Sequence, residues 1–182
     1  MEIVDKALDG VMLIKPAVFN DSRGYFYEHF SSKKLESLGI DYSFLQDNLS
    51  RSVKNTVRGL HYQIGENAQG KLCQVISGSV LDVCVDIRFG SPTFGKYYSA
   101  ELNDENHHML WIPPGFAHGF SVLSDTAIFH YKCTNYYSKP DERALLFNDP
   151  ALGIDWKVTD PIVSEKDAQA KLLSEINQDF RY

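Results

Sequence analysis

The sequence predicts an all-β fold of the sandwich or barrel class, and three observations carry that prediction. Val83, Val85 and Ile87 alternate with Asp82, Cys84, Asp86 and Arg88, the period of two that belongs to a strand. Turn signals recur at short intervals, at Gly24, Gly65, Gly70, Gly78, Gly90-Ser91-Pro92, Pro113-Pro114-Gly115 and Lys139-Pro140-Asp141, so the segments between them are many and short. No glycine-rich strand-to-helix turn is present, which argues against a dinucleotide-binding α/β fold.

Two short helices interrupt the strands. The first covers roughly Ser32 to Leu38, with serines at its start and Gly39 as its stop. The second begins at Ser164 and runs through Glu165-Lys166-Asp167-Ala168, where Ser164 and Asp167 make a Ser-x-x-Asp capping box. With no repeat, low-complexity tract or linker, residues 1–182 are expected to form one domain. The chain has 182 residues, 43% hydrophobic and 13% aromatic, enough to bury a core without covalent staples. A formal net charge of -6 argues against a general nucleic-acid binder. A phosphate-bearing ligand would therefore need a local cluster of Arg and Lys. Cys73, Cys84 and Cys133 are odd in number, widely spaced and match no zinc or disulfide pattern. They read as reduced core thiols of a cytoplasmic protein. The segment Met1-Glu2-Ile3-Val4-Asp5 lacks a basic region followed by an apolar run, and no stretch is long enough to span a bilayer. Neither a signal peptide nor a membrane anchor is expected.

The candidate chemistry centres on Arg58-Gly59-Leu60-His61-Tyr62-Gln63. His61 has no second histidine or cysteine beside it, so the choice lies between proton transfer and a hydrogen-bonded core role. On a regular strand Arg58 and His61 point to opposite faces, and only a twist or bulge lets both reach one pocket. His118 follows the Pro-Pro-Gly turn among apolar neighbours, and a buried imidazole needs partners for its nitrogens. It is as much a core candidate as a site candidate. His107 and His108, in a polar run, read as a solvated loop. Lys71 by default snorkels to water; pointing inward, it could stabilise an oxyanion. Tyr131, Tyr136 and Tyr137 near Lys132 could supply an acid or a stacking platform, or merely pack. Asp21, Arg23 and Glu28 around Gly24-Tyr25-Phe26, and Gln46-Asp47-Asn48 after Phe44, are turn formers in the plain reading. The same groups also suit the edge of a nucleobase, and Arg23 and Arg58 are the local charges a diphosphate needs. Asp167 is accounted for locally by its capping box.

Taken in order, these segments resemble the dTDP-4-dehydrorhamnose 3,5-epimerase family of the cupin superfamily. The resemblance runs from Phe19-Asn20-Asp21-Ser22-Arg23-Gly24-Tyr25-Phe26-Tyr27-Glu28 through Gln46-Asp47-Asn48-Leu49-Ser50, the His61 segment and Gln69-Gly70-Lys71-Leu72. It continues through Asp82–Arg88, Ser91-Pro92-Thr93-Phe94-Gly95, Ile112–Phe120, Tyr131-Lys132-Cys133-Thr134, Ile154-Asp155-Trp156 and Ser164-Glu165-Lys166-Asp167. It implies a double-stranded β-helix, or jelly roll, with a few short helices. It also implies a homodimer whose N-terminal residues contribute to the partner's site, and a nucleotide-sugar substrate. No cofactor and no metal are implied; Gln63 stands where a metal-binding cupin would carry its second histidine. The implied reaction converts dTDP-4-keto-6-deoxy-D-glucose to the L-rhamnose precursor. In it His61 is the base, Asp167 orients and charges it, Tyr131 is the acid and Lys71 stabilises the enolate. Tyr137 matches the position that stacks on thymine. Arg23, Phe26, Glu28, Gln46, Asp47, Asn48, Arg58, Gln63, His118, Glu142 and Lys166 match substrate-binding positions. Relatives that invert a single centre, or act on another nucleotide sugar, share most of these residues. A ketoisomerase, a non-enzymatic sugar-nucleotide binder and a metal-dependent cupin are the remaining alternatives.

Overall fold

The computed structural model describes residues 1–182. Strand β1 (Glu2–Ala7) turns into β2 (Val11–Lys15), followed by a hairpin of β3 (Val18–Asp21) and β4 (Gly24–Tyr27). Helix α1 (Ser32–Ser37) leads to β5 (Gln46–Val53), β6 (Val57–Gln63), β7 (Lys71–Ser77) and β8 (Ser79–Asp86). Next come β9 (Tyr97–Asn103), β10 (Met109–Ile112), β11 (Phe116–Val122) and β12 (Thr126–Cys133). The short β13 (Glu142–Ala144) and helix α2 (Glu165–Ala168) lie beyond them. Every predicted break falls between strands or at a strand end.

The strands form two sheets, in the orders β1-β2-β10-β7-β12-β5 and β13-β6-β11-β8-β9, with all pairings within them antiparallel. From β5 onward consecutive strands alternate between the sheets except at the β8–β9 hairpin, the jelly-roll arrangement expected above. One cluster fills the space between the sheets, with Leu13, Val75, Leu110 and Phe129 from one and Val80, Leu102, Phe116 and Phe120 from the other. Each fully buried aliphatic or aromatic side chain there contributes about 1.5–3 kcal/mol.

Both outer faces are covered as well. The chain after β13 lays Leu145, Phe147, Leu152, Trp156 and Ile176 over Val83, Val85, Ile87 and their neighbours. Trp156 is fixed there by donating its indole N–H to the Phe147 carbonyl at 2.8 Å. Helix α1 and the segment after it place Leu35 and Ile40 over Ile14, Leu72, Met109 and Trp111 on the other sheet. Strand β8 is consequently buried on both sides, so Asp82 and Asp86, the polar members of its alternation, are also fully buried. Asp86 is satisfied by Arg88 Nη2 at 2.8 Å, Ser91 Oγ at 2.6 Å and Thr93 Oγ1 at 2.6 Å. Through that network Asp86-Ile87-Arg88 and Ser91-Pro92-Thr93 hold a turn.

The helices fall where the sequence puts them. Ser31, one residue before the expected start, caps α1 by accepting from the Lys34 N–H. Ser164 caps α2 by accepting from the Asp167 N–H at 3.1 Å. The three cysteines are free and buried. The solvated-loop reading fails for His107, which is buried under the β3–β4 hairpin with its ring 4.7 Å from Tyr25 and 4.8 Å from Tyr27. The polar run before it gives no hint of the two tyrosines, which arrive from about 80 residues away in sequence. No helix is long and apolar enough to cross a membrane.

Candidate active site

A cavity of about 860 Å³ opens at the end of the sandwich where β5 and β6 diverge. Its size suits a small molecule with a nucleotide attached. Strand β6 supplies Arg58 and His61, and a ladder irregularity between them decides their orientation. Arg58 pairs with Phe120 and His61 with His118, so three residues on β6 span two on β11. This is a bulge, and it turns both side chains into one cavity, as the sequence required. Gly59 makes it possible, with φ +120° and a virtual Cβ that would lie 2.6 Å from the Gly119 Cα.

His61 meets Asp167 across 106 residues, with Nε2 2.6 Å from Oδ1. Asp167 is 3% exposed, and its second oxygen accepts the Gly59 N–H at 3.2 Å. The predicted capping box is therefore only half made. Ser164 caps the helix, but the carboxylate turns to His61 and Gly59 instead of back to the Ser164 N–H. Burial pushes the Asp167 carboxyl up, yet the bonds from His61, Gly59 and Ser164 outweigh it and hold it below the usual range. Because a carboxylate only accepts, the His61 proton sits on Nε2 and the lone pair on Nδ1.

Lys71, on β7, points inward and is 8% exposed. Its Nζ donates to the His61 carbonyl at 3.2 Å and lies 6.0 Å from the centre of the Tyr131 ring, and it joins no ion pair. Tyr131, on β12, lines the cavity from the sheet opposite His61. Burial raises its phenol above the ordinary value, with Cys133 and Cys73 adding to the effect and Arg58 opposing it. Tyr131 is thus held protonated, the state an acid needs.

His118 turns out to be both buried and part of the site. It is 6% exposed, lines the cavity, and sits with Nε2 2.7 Å from Asp82 Oδ1. Burial lowers its pKa, and Lys71 and His61 add to that, against the pull of Asp82. Gln46 and Asn48 face inward from β5, linked by a 3.0 Å bond, and the Gln46 Oε1 accepts the Tyr137 N–H at 2.9 Å. Tyr137 projects at the mouth with its hydroxyl donating to Glu142 at 3.0 Å, and Glu142 also takes Lys166 Nζ at 2.5 Å. Burial pushes Glu142 up, but Lys166 and Tyr137 outweigh it and hold the carboxyl low. Gln63 is on the cavity wall, although its side-chain Oε1 is used by the Ser138 N–H at 2.9 Å. Arg58 Nε donates to Ser52 Oγ at 3.0 Å, which leaves both terminal nitrogens of the guanidinium without a protein partner.

Four expected residues do not reach this cavity. Asp47 faces the other side of β5 and binds Lys132 Nζ at 2.7 and 2.8 Å, because strand alternation sends it opposite to Gln46 and Asn48. Arg23, Phe26 and Glu28 lie on or just after the β3–β4 hairpin. Arg23 is 88% exposed on its side chain and pairs only with Asp21; Glu28 pairs with Lys34 at 2.9 Å; Phe26 is 70% exposed.

Two residues of the site escaped the sequence reading. Ser52, which holds Arg58, belongs to a polar stripe of Gln46, Asn48, Ser50 and Ser52 at every second position of β5, a legible pattern. Asp82, which holds His118, is a carboxylate inside a run of valines, and that contrast was its only signal.

Comparison with known proteins identifies the family. The family model described as dTDP-4-dehydrorhamnose 3,5-epimerase matches residues 5–175. This chain belongs to that family. The dTDP-4-dehydrorhamnose 3,5-epimerase of Salmonella typhimurium is 50% identical over 177 residues, covering 96% of this chain and 97% of that protein. The one from Neisseria gonorrhoeae is 52% identical over 172 residues, 94% of this chain but 52% of that longer protein, so the chain spans about half of its length. A dTDP-6-deoxy-D-glucose-3,5-epimerase of Legionella pneumophila, solved with dTDP-4-keto-L-rhamnose, superposes with a TM-score of 0.95 at 49% identity. That match covers 100% of this chain and 98% of the other. The fold of this chain is that of the epimerase family.

Proposed function

We propose that this protein inverts C3 and C5 of dTDP-4-dehydro-6-deoxy-D-glucose, giving dTDP-4-dehydro-L-rhamnose. The observation that carries the reading is His61 on one sheet, paired with Asp167 of helix α2, facing a protonated tyrosine on the other sheet, with a buried lysine beside both. C3 and C5 both flank the C4 ketone, so loss of either proton gives an enolate. A sugar ring lying between the sheets presents one face to His61 and the other to Tyr131. His61 Nδ1 removes the proton, and Asp167 stabilises the imidazolium that forms. Lys71 stabilises the negative charge growing on the C4 oxygen. Tyr131 then gives a proton to the opposite face, which inverts the centre; exchange with solvent returns His61 to its neutral form and Tyr131 to its phenol.

The remaining residues fit the two ends of such a substrate. The free end of the Arg58 guanidinium suits the diphosphate, and Tyr137 at the mouth offers a ring for thymine to stack on. Gln46, Asn48, Gln63, His118, Glu142 and Lys166 supply polar contacts along the same path. Arg23, Phe26 and Glu28, absent from this chain's own cavity, complete the cavity of a second copy in a homodimer. The exposed aromatic rings of Phe19, Tyr25 and Phe26 give that hairpin an apolar surface to bury. We place the protein in the cytoplasm as a single domain over residues 1–182, in keeping with its free buried thiols.

The deciding experiment is incubation of the protein with the 4-keto sugar nucleotide in heavy water. Deuterium at both C3 and C5, with the L-rhamno product by NMR, is the expected result; label at C3 alone, or a moved carbonyl, rejects it. His61→Ala is expected to lose about 10²–10⁴-fold in turnover while keeping dTDP binding. Mixing His61→Ala with Arg23→Ala subunits tests the shared cavity: recovery of activity above either parent supports it, and none rejects it.

A further inference from the structure

We propose that His118, on the cavity wall, and Cys73 and Asp82, buried behind it, form a binding site for a thiophilic divalent cation such as Zn²⁺, and that filling it shuts the enzyme down. The three side chains come from β7, β8 and β11, and their exposures are 0%, 0% and 6%. Their ligand atoms all lie within 4.8 Å of one another. An imidazole, a thiol and a carboxylate are a donor set that suits zinc.

The spacing of the thiol and the imidazole also fits a metal. Cys73 Sγ stands 3.5 Å from His118 Nε2. With Zn–S of about 2.3 Å and Zn–N of about 2.05 Å, a 3.5 Å separation subtends about 107° at the metal, close to tetrahedral. Asp82 adds an independent sign. Its Oδ1 faces His118 Nε2 at 2.7 Å, but its Oδ2 is buried with no hydrogen-bond partner. An orphaned carboxylate oxygen in an interior is costly, and a cation is one way to satisfy it. Of the three, His118 alone borders the cavity, so an ion would enter past its ring.

Proton accounting is simple. At rest the His118 proton sits on Nε2, against the Asp82 carboxylate. On metal binding Nε2 gives its lone pair to the cation and the proton moves to Nδ1. The Cys73 thiol releases one proton to solvent and becomes a thiolate. Cation, thiolate and carboxylate then sum to no net charge. The site stands on the fold alone; its effect on turnover rests on the proposed epimerase reading, because His118 would no longer be free for substrate.

The test is titration of the metal-free, full-length protein with Co²⁺. The expected result is a thiolate-to-cobalt charge-transfer absorption that saturates at one ion per chain and is displaced by Zn²⁺. Cys73→Val abolishes it, while Cys84→Ala and Cys133→Ala retain it; should Cys73→Val not fold, Cys73→Ser carries the same comparison. Zn²⁺ inhibition of turnover is expected to weaken at least tenfold in Cys73→Val, each variant being measured against its own zinc-free rate. Absence of the thiolate band overturns the proposal, as does a band that survives loss of Cys73. So does metal held only by imidazoles, for example between His29 Nε2 and His130 Nδ1, which are 3.5 Å apart on the outer face. A cobalt band in a protein without epimerase turnover would leave the site standing and reject the proposed reaction instead.

Discussion

Replacing Asp167 by Asn separates the two jobs of that residue. The carboxylate has one oxygen 2.6 Å from His61 Nε2 and the other 3.2 Å from the Gly59 N–H. Asparagine keeps one acceptor oxygen and puts an NH₂ where the second was, so either His61 or the buried Gly59 N–H loses its partner. Both alternatives remove the negative charge that stabilises His61 once it has taken a proton. A carboxylate and an imidazolium whose charges are about 4 Å apart attract by about 4 kcal/mol at an effective dielectric of 20. The His61 side chain is 33% exposed, so solvent screens part of this. The range for a hydrogen bond to a charged group, about 1.5–3 kcal/mol, is the better measure. At about 1.4 kcal/mol per tenfold, kcat is expected to fall about 10- to 150-fold. KM should move by less than about threefold, because the nucleotide end of the cavity is untouched. The companion variant is Ser164→Ala, which deletes the helix cap and leaves the carboxylate. It is expected to cost about 0.5–2 kcal/mol of stability with turnover nearly intact. Rates from deuterium incorporation and Tm from calorimetry report the two effects separately. If Asp167→Asn turns over within threefold of the parent, or if Ser164→Ala falls as far, the assignment of Asp167 as the partner of His61 is wrong.

Three further outcomes follow from the geometry. Tyr131→Phe should still exchange a substrate proton on the His61 side while forming little inverted product, since it removes the acid and leaves the base; efficient product formation would move that role elsewhere. Tyr137→Ala should weaken dTDP binding, measured by titration calorimetry, by an amount on the order of 1–3 kcal/mol for a lost base stack, with kcat at saturation little changed. Asp86→Asn tests acid stability. Burial pushes the Asp86 carboxyl up, but Arg88, Ser91 and Thr93 outweigh it and hold it low. A carboxyl with a depressed folded pKa stabilises the fold above its unfolded value of about 3.9, and that contribution is lost as pH falls through the folded pKa. Asp86→Asn should therefore cost about 3–5 kcal/mol near neutral pH, the range for breaking a buried pair, and flatten the decline of Tm with acid; an unchanged acid limb would show that other carboxylates govern it.

Short-range features of this protein were legible in its sequence because short-range physics produces them. The period-two run in β8, the Gly and Pro turns and the two serine caps each depend on residues within a few positions of one another. Asp47 shows how local reasoning misleads when it stops at composition. Gln46, Asp47 and Asn48 form one polar cluster on paper, yet alternation along β5 sends the first and third into the cavity and the second to Lys132. His107 shows the reverse limit, since the rings that bury it belong to a hairpin far away in sequence.

The Arg58–His61 segment joins the two scales. The sequence states the condition under which both side chains serve one cavity, namely a local irregularity in the strand, but not whether it is met. The condition is met because Gly59 takes φ +120° where no side chain fits between β6 and Gly119. The same bulge leaves the Gly59 N–H facing away from the regular ladder, and Asp167 accepts it from 108 residues away. The carboxylate that steadies the bulge is thus the one that holds His61. A capping box could account for Asp167 locally, but only the closed fold explains why its side chain abandons half of that box. Its oxygens serve the N–H of a strand bulge and a histidine instead of the first N–H of a four-residue helix.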